Sequence, residues 1–124
     1  MSVESTRETM MAYWDGDDMS KIAEDAVYTV MGTGQKAEGR EKILELLKNI
    51  YSEAFKARAE TRNTIISDGQ AVIELDIVGR QIEEYAGVAP GAEEVRIPAC
   101  VVYTVESDRI RNAHIYFERD ALRR

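Results

Sequence analysis

The sequence predicts an α+β fold in which a curved, mostly antiparallel sheet wraps around one long helix, with two shorter N-terminal helices before it. Apolar residues recur at helical spacing in the first half of the chain and at every second position in the second half. The 124 residues suit one domain, spanning residues 1–124. With 44% hydrophobic and 31% charged residues, the composition is that of a globular chain rather than a disordered one.

Three helices are predicted in the first half. The first has a candidate capping box in "STRE" at residues 5–8, with Ser2 as a competing start, and it is expected to end near Gly16. A short second helix is predicted at residues 19–23. The long third helix is predicted over residues 40–59, because its apolar residues fall at i, i+3, i+4 and i+7 and form one stripe.

Strands account for the remaining regular structure. A short strand is predicted at residues 26–31, followed by a loop at 32–39. Segments 61–67 and 71–78 should form a hairpin around Asp68-Gly69, which tolerates the positive φ of a type I′ turn. Segments 95–105 and 110–117 should form a second hairpin, and Pro90-Gly91 between the hairpins suits a type II turn.

Alternation along the last three strands assigns their side chains to two faces. One face is almost wholly apolar and is predicted to look inward at the long helix. Its residues are Ala71, Ile73, Leu75, Ile77, Val95, Ile97, Ala99, Val101, Tyr103, Ala113, Ile115 and Phe117. The opposite face mixes apolar, polar and charged residues, which suits a surface exposed to water or to a second subunit.

Charge and cysteine content exclude several function classes. The net charge of −7, without a cluster of Lys or Arg, argues against binding to nucleic acid or to an anionic membrane surface. No segment has the ~20 consecutive apolar residues of a membrane-spanning helix, and the N-terminus lacks the apolar region of a signal peptide. Cys100, the single cysteine, permits no internal disulfide and favours a cytoplasmic location.

The last strand carries His114, the single histidine, and Glu118 shortly after it. Alternation places both on the outer face together with Tyr116, which favours an ordinary sheet surface or a dimer interface. The alternative is a histidine general base oriented by Glu118. Residues four apart on one strand face lie ~13 Å from each other, too far for a direct hydrogen bond. The surface interpretation is therefore preferred.

The order and spacing of these elements resemble the SnoaL-like polyketide cyclases, which belong to the nuclear transport factor 2-like superfamily. The resemblance covers nearly the whole chain and rests on "YWDGDDMSKIAEDAVYTV", "EGREKILELLKNIY", "SDGQAVIELDIVG", "GVAPGAEEVRIP" and "VVYTVESDRIRNAHIYFERDALRR". It implies a cone-shaped, cystatin-like fold whose sheet wraps a pocket closed by helices. It also implies a homodimer formed through the outer face of the sheet.

Active members of that family are cyclases, isomerases, dehydratases and epoxide hydrolases that act on small hydrophobic molecules, usually without a metal. The acid–base residue at the end of their last strand corresponds to Glu118 here, and the histidine expected near Tyr103 or Thr104 is missing. The arginine–aspartate pair of the limonene epoxide hydrolases is incomplete, since the middle strand offers Glu74 and Asp76 without an arginine. Because alternation turns Glu118 outward, a solvated strand-end acid is the alternative to a catalytic one.

The inward face should form an apolar pocket suited to a small hydrophobic molecule. The residues predicted to contact that molecule are Tyr13, Trp14, Tyr28, Tyr51, Leu75, Val101, Ile115 and Phe117. For the aromatic residues among them, packing in the core or at the rim is the alternative role. No cofactor is expected and no metal, because the acidic cluster Asp15, Asp17 and Asp18 lacks the remaining ligands of a calcium loop.

The function predicted from the sequence is therefore binding of a small hydrophobic molecule in the pocket of the cone. Acid–base turnover of the cyclase, isomerase or hydrolase type is the catalytic form of this prediction, and the sequence leaves open whether the protein is an enzyme. The alternative is a non-catalytic ligand-binding or dimerisation module. The expected partners are a small hydrophobic ligand and a second copy of the chain.

Overall fold

The computed structural model describes residues 2–53, 55–84, 89 and 94–118. Its helical elements are α1 (Val3–Trp14), a 3₁₀ turn (Met19–Lys21), α2 (Arg40–Lys48) and a π-helical turn (Asn49–Glu53). Its strands are β1 (Ile22–Val30), β2 (Gln35–Glu38), β3 (Phe55–Ser67), β4 (Gln70–Gln81), β5 (Val95–Glu106) and β6 (Arg109–Phe117). Pro90 and Gly91, for which a type II turn is predicted, lie outside the described residues.

The six strands form one sheet in the order β2-β1-β6-β5-β4-β3. β1 and β6 pair in parallel, and the other four neighbouring pairs are antiparallel. This curved, mostly antiparallel sheet, with helices packed against one face, confirms the predicted α+β class. Within the described part of the chain, no helix is long and apolar enough to cross a membrane.

The first helix starts at the competing N-cap. The Ser2 hydroxyl accepts a hydrogen bond from the Ser5 backbone N–H at 3.1 Å, and the Ser5 hydroxyl accepts one from the Ser2 N–H at 3.0 Å. The predicted box with Ser5 as the cap and Glu8 as its partner is wrong, because Ser5 is itself the third helical residue of a box that Ser2 begins. The end near Gly16 is confirmed, with Asp15 as the C-cap.

The long helix is shorter than the apolar stripe predicts. α2 ends at Lys48, the π-helical turn follows, and β3 begins at Phe55, so the prediction of a helix over residues 40–59 is wrong beyond that turn. β3 pairs with β4 along its whole length, from Phe55 opposite Gln81 to Ser67 opposite Gln70. This long ladder satisfies the backbone as a strand, so tertiary pairing overrides the local helical pattern.

The segment between the two helices differs in detail from its prediction. The predicted helix at residues 19–23 is a three-residue 3₁₀ turn, because β1 already starts at Ile22, which pairs with Ile110 of β6. β1 therefore begins before the predicted strand at residues 26–31. β2 lies in the predicted loop and pairs with β1 through four residues, of which only Ala37 is buried.

The two predicted hairpins are confirmed, but the turn of the first is not of the predicted type. Gly69 has a φ of 78°, whereas Asp68 is not among the residues with positive φ, so this turn is not type I′. In the second hairpin, Ser107 and Asp108 both have positive φ, 51° and 59°, as a type I′ turn requires. The left-handed strain therefore lies at the β5–β6 turn.

Two irregularities shape the β3–β4 pair. Thr61 pairs with Leu75 and Asn63 with Glu74, so Arg62 is the extra residue of a bulge. At Gly79, a Cβ atom would overlap the backbone of Lys56, and glycine therefore permits a close approach of the two strands. The bulge follows Thr61, whose hydroxyl bonds Trp14 at the end of α1, and Gly79 lies opposite Ala57 near the start of β3.

The core lies between the inner face of the sheet and the helices. Burial confirms the inward assignment for Ile73, Leu75 and Ile97, which are fully or almost fully buried and pack with Met10 of α1 and Ile43 of α2 in one cluster. Such burial of apolar side chains is the main stabilising contribution to a domain of this size.

Candidate functional site

A cavity of about 580 Å³ lies between the inner face of the sheet and the helices. Small-molecule pockets typically have volumes of ~300–1,000 Å³. The helices and turns line it with Tyr13, Trp14, Asp15, Asp17, Met19, Leu44, Leu47, Lys48, Ile50 and Tyr51. The strands line it with Tyr28, Ala59, Thr61, Leu75, Ile77, Ala99, Val101, Tyr103 and Ile115. The strand wall is therefore apolar except for one threonine and two tyrosines.

The structure places most of the predicted ligand-contacting residues in this cavity. Those that line it are Tyr13, Trp14, Tyr28, Tyr51, Leu75, Val101 and Ile115. Phe117 does not, because its ring lies beside Gly32 and it lines a separate groove at the end of β6. Contact with a ligand stays a prediction for the lining residues, and the position of Phe117 does not support such contact in this cavity.

Trp14 is fixed at the edge of the cavity by a hydrogen bond. Its indole N–H donates to the Thr61 hydroxyl at 2.8 Å, which joins the last residue of α1 to the middle of β3. The neighbouring Tyr13 ring is 6.4 Å away, centre to centre. The hydrogen bond holds the half-buried indole ring as part of the cavity wall instead of leaving it free to rotate.

Three tyrosine rings pack edge-to-face at the buried side of the cavity. The ring centroids of Tyr13 and Tyr103 are 5.9 Å apart, and those of Tyr28 and Tyr103 are 6.3 Å apart. Tyr28 is only 1% exposed, and its hydroxyl makes no hydrogen bond within the normal limits of geometry, although the Tyr13 hydroxyl lies close enough to influence its pKa. A buried hydroxyl without a partner is uncommon in folded proteins, and here it belongs to a residue that lines an open space.

Burial dominates the ionisation of this cluster. It raises the pKa of Tyr13, and the neighbouring hydroxyls of Tyr28 and Tyr103 oppose that rise in part. Burial also raises the pKa of Tyr28, Tyr103 and Tyr51 well above the ordinary value. All four phenols are therefore neutral near physiological pH. They can donate hydrogen bonds to a ligand, but they cannot serve as bases.

The charged residues of the cavity lie at its exposed rim. Asp15 and Asp17 follow the end of α1, and Lys48 is the last residue of α2. The negative charge of Asp17 contributes to the raised pKa of Tyr13, so its field reaches that buried phenol. In the described residues, acid–base groups other than tyrosines line this cavity only at the rim.

The predicted catalytic residue, Glu118, lies outside the cavity. Its side chain is exposed, and its backbone N–H donates to the Pro98 carbonyl at 3.0 Å. It borders an outer groove of about 400 Å³ together with Glu74, Cys100 and Tyr116. The hydrogen bond to Pro98 keeps Glu118 on the outer side as β6 ends. The inward turn required for catalysis is absent at this residue, and its catalytic role stays a prediction that the structure does not support.

His114 also lies on the outer face, as alternation predicts. It is half-buried between Val102 of β5 and Thr29 of β1, its register neighbours. Its ring nitrogen Nε2 lies 3.4 Å from the Asn112 side-chain amide. A surface role in the sheet accounts for these contacts.

The outer face carries an ion-pair network that the sequence analysis did not identify. Asp76 Oδ2 accepts hydrogen bonds from Arg62 Nε at 2.9 Å, from Arg62 Nη2 at 2.7 Å and from Arg96 Nη1 at 2.7 Å. Arg96 also bonds Glu60 at 3.0 Å, and Glu60 in turn bonds Arg58. The arginines missing from the middle strand thus arrive from the strands on either side of it.

The arginines determine the ionisation of Asp76. The hydrogen bonds from Arg62, followed by those from Arg96, hold the pKa of Asp76 below its usual value even though the carboxylate is only 1% exposed. Asp76 Oδ1 has no partner in the described residues. Because both guanidinium groups are already bonded to acids, the network acts structurally, joining β3, β4 and β5.

The part of the chain that the structure describes contains no cluster of potential metal ligands. There, no three side chains of His, Cys, Asp or Glu come close enough together to hold a metal ion. The expectation of a metal-free, cofactor-free protein stays a prediction.

Comparison with known proteins agrees with this architecture. The family model of the SnoaL-like domain matches residues 8–113, whereas no curated protein matches the chain. A protein from Jannaschia sp. CCS1 described as a SnoaL-like polyketide cyclase superposes with a TM-score of 0.80 at 15% identity, covering 96% of this chain and 92% of the other. IdmH from Streptomyces antibioticus, described as a polyketide cyclase, gives 0.71 at 17% identity, covering 97% and 94%.

A third similar structure connects the fold to isomerases. It is described as a ketosteroid isomerase from Kribbella flavida and superposes with a TM-score of 0.72 at 15% identity, covering 94% of this chain and 79% of the other. Identities this low show a common fold. Since the family model spans most of the sequence, the chain belongs to the SnoaL-like domain family.

Proposed function

We propose that the protein binds a small hydrophobic molecule in the cavity between the sheet and the helices. The observation that carries this proposal is the unpartnered Tyr28 hydroxyl, which is buried and belongs to a cavity-lining residue. An apolar ligand with one hydrogen-bonding atom at its buried end would satisfy it, and the apolar strand wall would hold the rest of the molecule. The volume of about 580 Å³ lies within the range of small-molecule pockets.

A catalytic form of this function requires acid–base groups in the cavity. The neutral phenols of Tyr13 and Tyr28 can stabilise negative charge that develops on a ligand oxygen, because they are donors fixed in a dry environment. The nearest carboxylates that could take a proton are Asp15 and Asp17 at the rim. We therefore propose binding as the primary function, with cyclase- or isomerase-type turnover resting on these rim acids and on no cofactor.

Uptake of a neutral apolar dye tests the binding proposal. Val101 lines the cavity, whereas Val102, the next residue of β5, lies on the outer face. Val101→Phe should narrow the cavity and reduce Nile red binding about three-fold or more, since the larger ring projects from the strand wall into the space. Val102→Phe is the matched control and should bind the dye as the unaltered protein does. Equal binding by both variants, or no binding by the unaltered protein, would contradict the proposal.

Turnover is tested with two carboxylate variants. If a panel of apolar ketones reveals an activity, Asp17→Asn should reduce kcat at least about ten-fold, as expected for loss of an acid–base residue. Glu118→Gln should retain the full rate, because Glu118 lies outside the cavity. The reverse pattern would restore the original assignment of Glu118 and overturn the one proposed here.

We also propose that two copies of the chain associate through the outer face of the sheet. Ile65 is 57% exposed there, and Tyr116 is also exposed. The same face carries arginines beside acids, so it can pair with itself without like charges meeting across the whole surface. A module whose only role is dimerisation would show this association and fail the dye test.

Sedimentation velocity measures the association. The unaltered protein should sediment as a dimer, and Ile65→Glu should shift it to a monomer, because a charge would replace an apolar contact in the interface. Val3→Glu is the control, since Val3 is 40% exposed on α1, away from the outer face. A monomeric unaltered protein would exclude this interface.

A cytoplasmic location is part of the same proposal, supported by the free, half-buried Cys100 and testable by cell fractionation.

A further inference from the structure

The rim of the cavity carries an excess of negative charge. Asp15 and Asp17 stand against the single cation Lys48, and no arginine lines the cavity within the described residues. Neither carboxylate has an ion-pair partner there, and Lys48 does not pair with them either. Both acids are exposed and unneutralised beside the cavity opening, on a protein with a net charge of −7.

Aromatic rings surround the space below these acids. Tyr13, Trp14 and Tyr51 contribute rings from the helical side, and Tyr28 and Tyr103 from the sheet. The negative faces of such rings attract a cation, most strongly an alkylammonium group that loses little hydration when it enters. The indole of Trp14, held by its bond to Thr61, lies next in sequence to Asp15.

The Tyr28 hydroxyl gives a second, independent indication of the ligand's chemistry. Tyr28 is 1% exposed and its hydroxyl makes no hydrogen bond of normal geometry, so a ligand atom that can donate or accept a hydrogen bond would stabilise it. The phenols around it are neutral, and Asp17 adds a negative field at Tyr13. Burial opposes the entry of a group that already carries a full negative charge, whereas a neutral hydroxyl or carbonyl can form hydrogen bonds with these phenols.

We propose that the ligand class is an amphipathic amine: an apolar body with a neutral hydroxyl or carbonyl at its buried end and a cationic amine held at the rim by Asp15, Asp17 and Trp14. This inference rests on the proposed ligand binding and adds to it the sign and position of the charge. The two polar ends of the molecule meet opposite ends of one cavity. Its middle contacts the apolar wall formed by Leu75, Val101 and neighbouring residues.

Calorimetry with three matched probes tests the charge. The probes are 3-(4-hydroxyphenyl)propyl-trimethylammonium, its uncharged tert-butyl isostere and the corresponding carboxylate. The cation should bind about five- to ten-fold more tightly than the neutral isostere, as expected for a cation near aromatic faces and exposed carboxylates, and the carboxylate should bind most weakly. Added salt should reduce the preference for the cation.

Three substitutions locate the charge preference. Asp17→Asn should remove most of it, and asparagine tolerates the positive φ of 53° at this residue, so the backbone is not strained. Asp68→Asn removes the same charge from the β3–β4 turn, which does not line the cavity, and should leave the preference unchanged. Lys48→Gln should increase affinity for the cation about two- to three-fold, because it removes the opposing charge.

The outcomes separate this inference from the proposed function. If the neutral probe binds as tightly as the cation, or Asp17→Asn and Asp68→Asn behave alike, the amine assignment is overturned while ligand binding stands. If none of the three probes binds and Nile red is also excluded, the proposed function itself fails. A tighter complex with the carboxylate would reverse the assignment and point to Lys48 as the rim anchor.

Discussion

The two faces of the sheet bury polar atoms in opposite ways. On the outer face, the Asp76 carboxylate is ionised and takes three hydrogen bonds from two arginines. On the inner face, the Tyr28 hydroxyl is neutral and has no partner. Consecutive residues of one strand meet both environments, since Leu75 lines the cavity and Asp76 joins the ion-pair network.

This difference indicates a stabilising role for the outer face and a ligand-binding role for the inner one. Most buried polar groups of a folded protein are hydrogen-bonded, and a group left without a partner calls for a specific explanation. The outer network pairs the Asp76 charge with two arginines through Oδ2, although Oδ1 has no partner in the described residues, and it therefore stabilises the sheet. On the inner face, Tyr28 itself lines a cavity of about 580 Å³, so a ligand bound there is the candidate partner for its hydroxyl. Low pH should consequently weaken the ion-pair network of the outer face, whereas apolar molecules should bind at the inner face.

The largest loss of stability is expected from a substitution on the inner face. Ile73 is fully buried, and Ile73→Ala should lower the free energy of unfolding by about 2–5 kcal/mol, because it removes buried methyl groups and leaves a void. Ile65 is 57% exposed on the outer face, and Ile65→Ala should change stability by less than about 0.5 kcal/mol. Urea unfolding of both variants at a low, matched protein concentration makes the comparison, and similar losses would contradict the face assignment.

A smaller loss of stability is expected from a substitution in the ion-pair network of the outer face. Asp76→Asn should lower the free energy of unfolding by about 1–2 kcal/mol near neutral pH, since bonds to a charged group are lost while the arginine heads stay accessible to water. The pKa of Asp76 is depressed by Arg62 and then Arg96 in the folded state, so its contribution is present above the unfolded pKa of ~3.9. It is lost as the pH falls through the lower folded pKa.

Unfolding measured across the acid range checks this prediction. The stability difference between the unaltered protein and Asp76→Asn should close as the pH falls below about 4. Glu74→Gln is the matched control from the same strand, because Glu74 is exposed and makes no ion pair in the described residues. A difference that persists unchanged in acid would show that Asp76 acts through packing and not through its charge.

Period-2 alternation predicted which face each residue of β4, β5 and β6 occupies, and burial bears this out for Ile73, Leu75 and Ile97. Alternation succeeds because successive side chains of a strand must point to opposite sides, whatever the strand's partners. It could not reveal the partners themselves. Arg62 and Arg96 reach Asp76 only because of the register of three strands and the bulge in β3.

The errors in the first half have a different cause. The stripe that continues through Phe55 looked helical, yet the same stretch places Ala57, Ala59 and Thr61 at alternate positions of β3. Short apolar runs are ambiguous between the two periods, and the long ladder with β4 decides for the strand. β2 was missed because its four residues include a single buried one, Ala37, and carry no strand signal of their own.

The candidate site was predictable in its members but not in its chemistry. Tyr13, Tyr28 and Tyr51 were expected at the pocket, and they line the cavity. The packing of Tyr103 against both Tyr13 and Tyr28 depends on how α1 packs on the sheet, which no local pattern encodes. The acid expected to work there, Glu118, was placed by family resemblance, and the strand carries it to the other face.

Removal of the Tyr28 hydroxyl should change stability only slightly. Tyr28→Phe should raise the free energy of unfolding by about 0.5–1 kcal/mol in the absence of ligand, because it removes a buried polar group that gains no hydrogen bond on folding. The exposed Tyr116 of the outer face is the control, and Tyr116→Phe should leave stability unchanged. Thermal unfolding of the two variants resolves a difference of this size. A loss of about 1 kcal/mol or more in Tyr28→Phe would show that the hydroxyl already has a partner, such as a bound water, and would remove the observation on which the ligand's buried polar end depends.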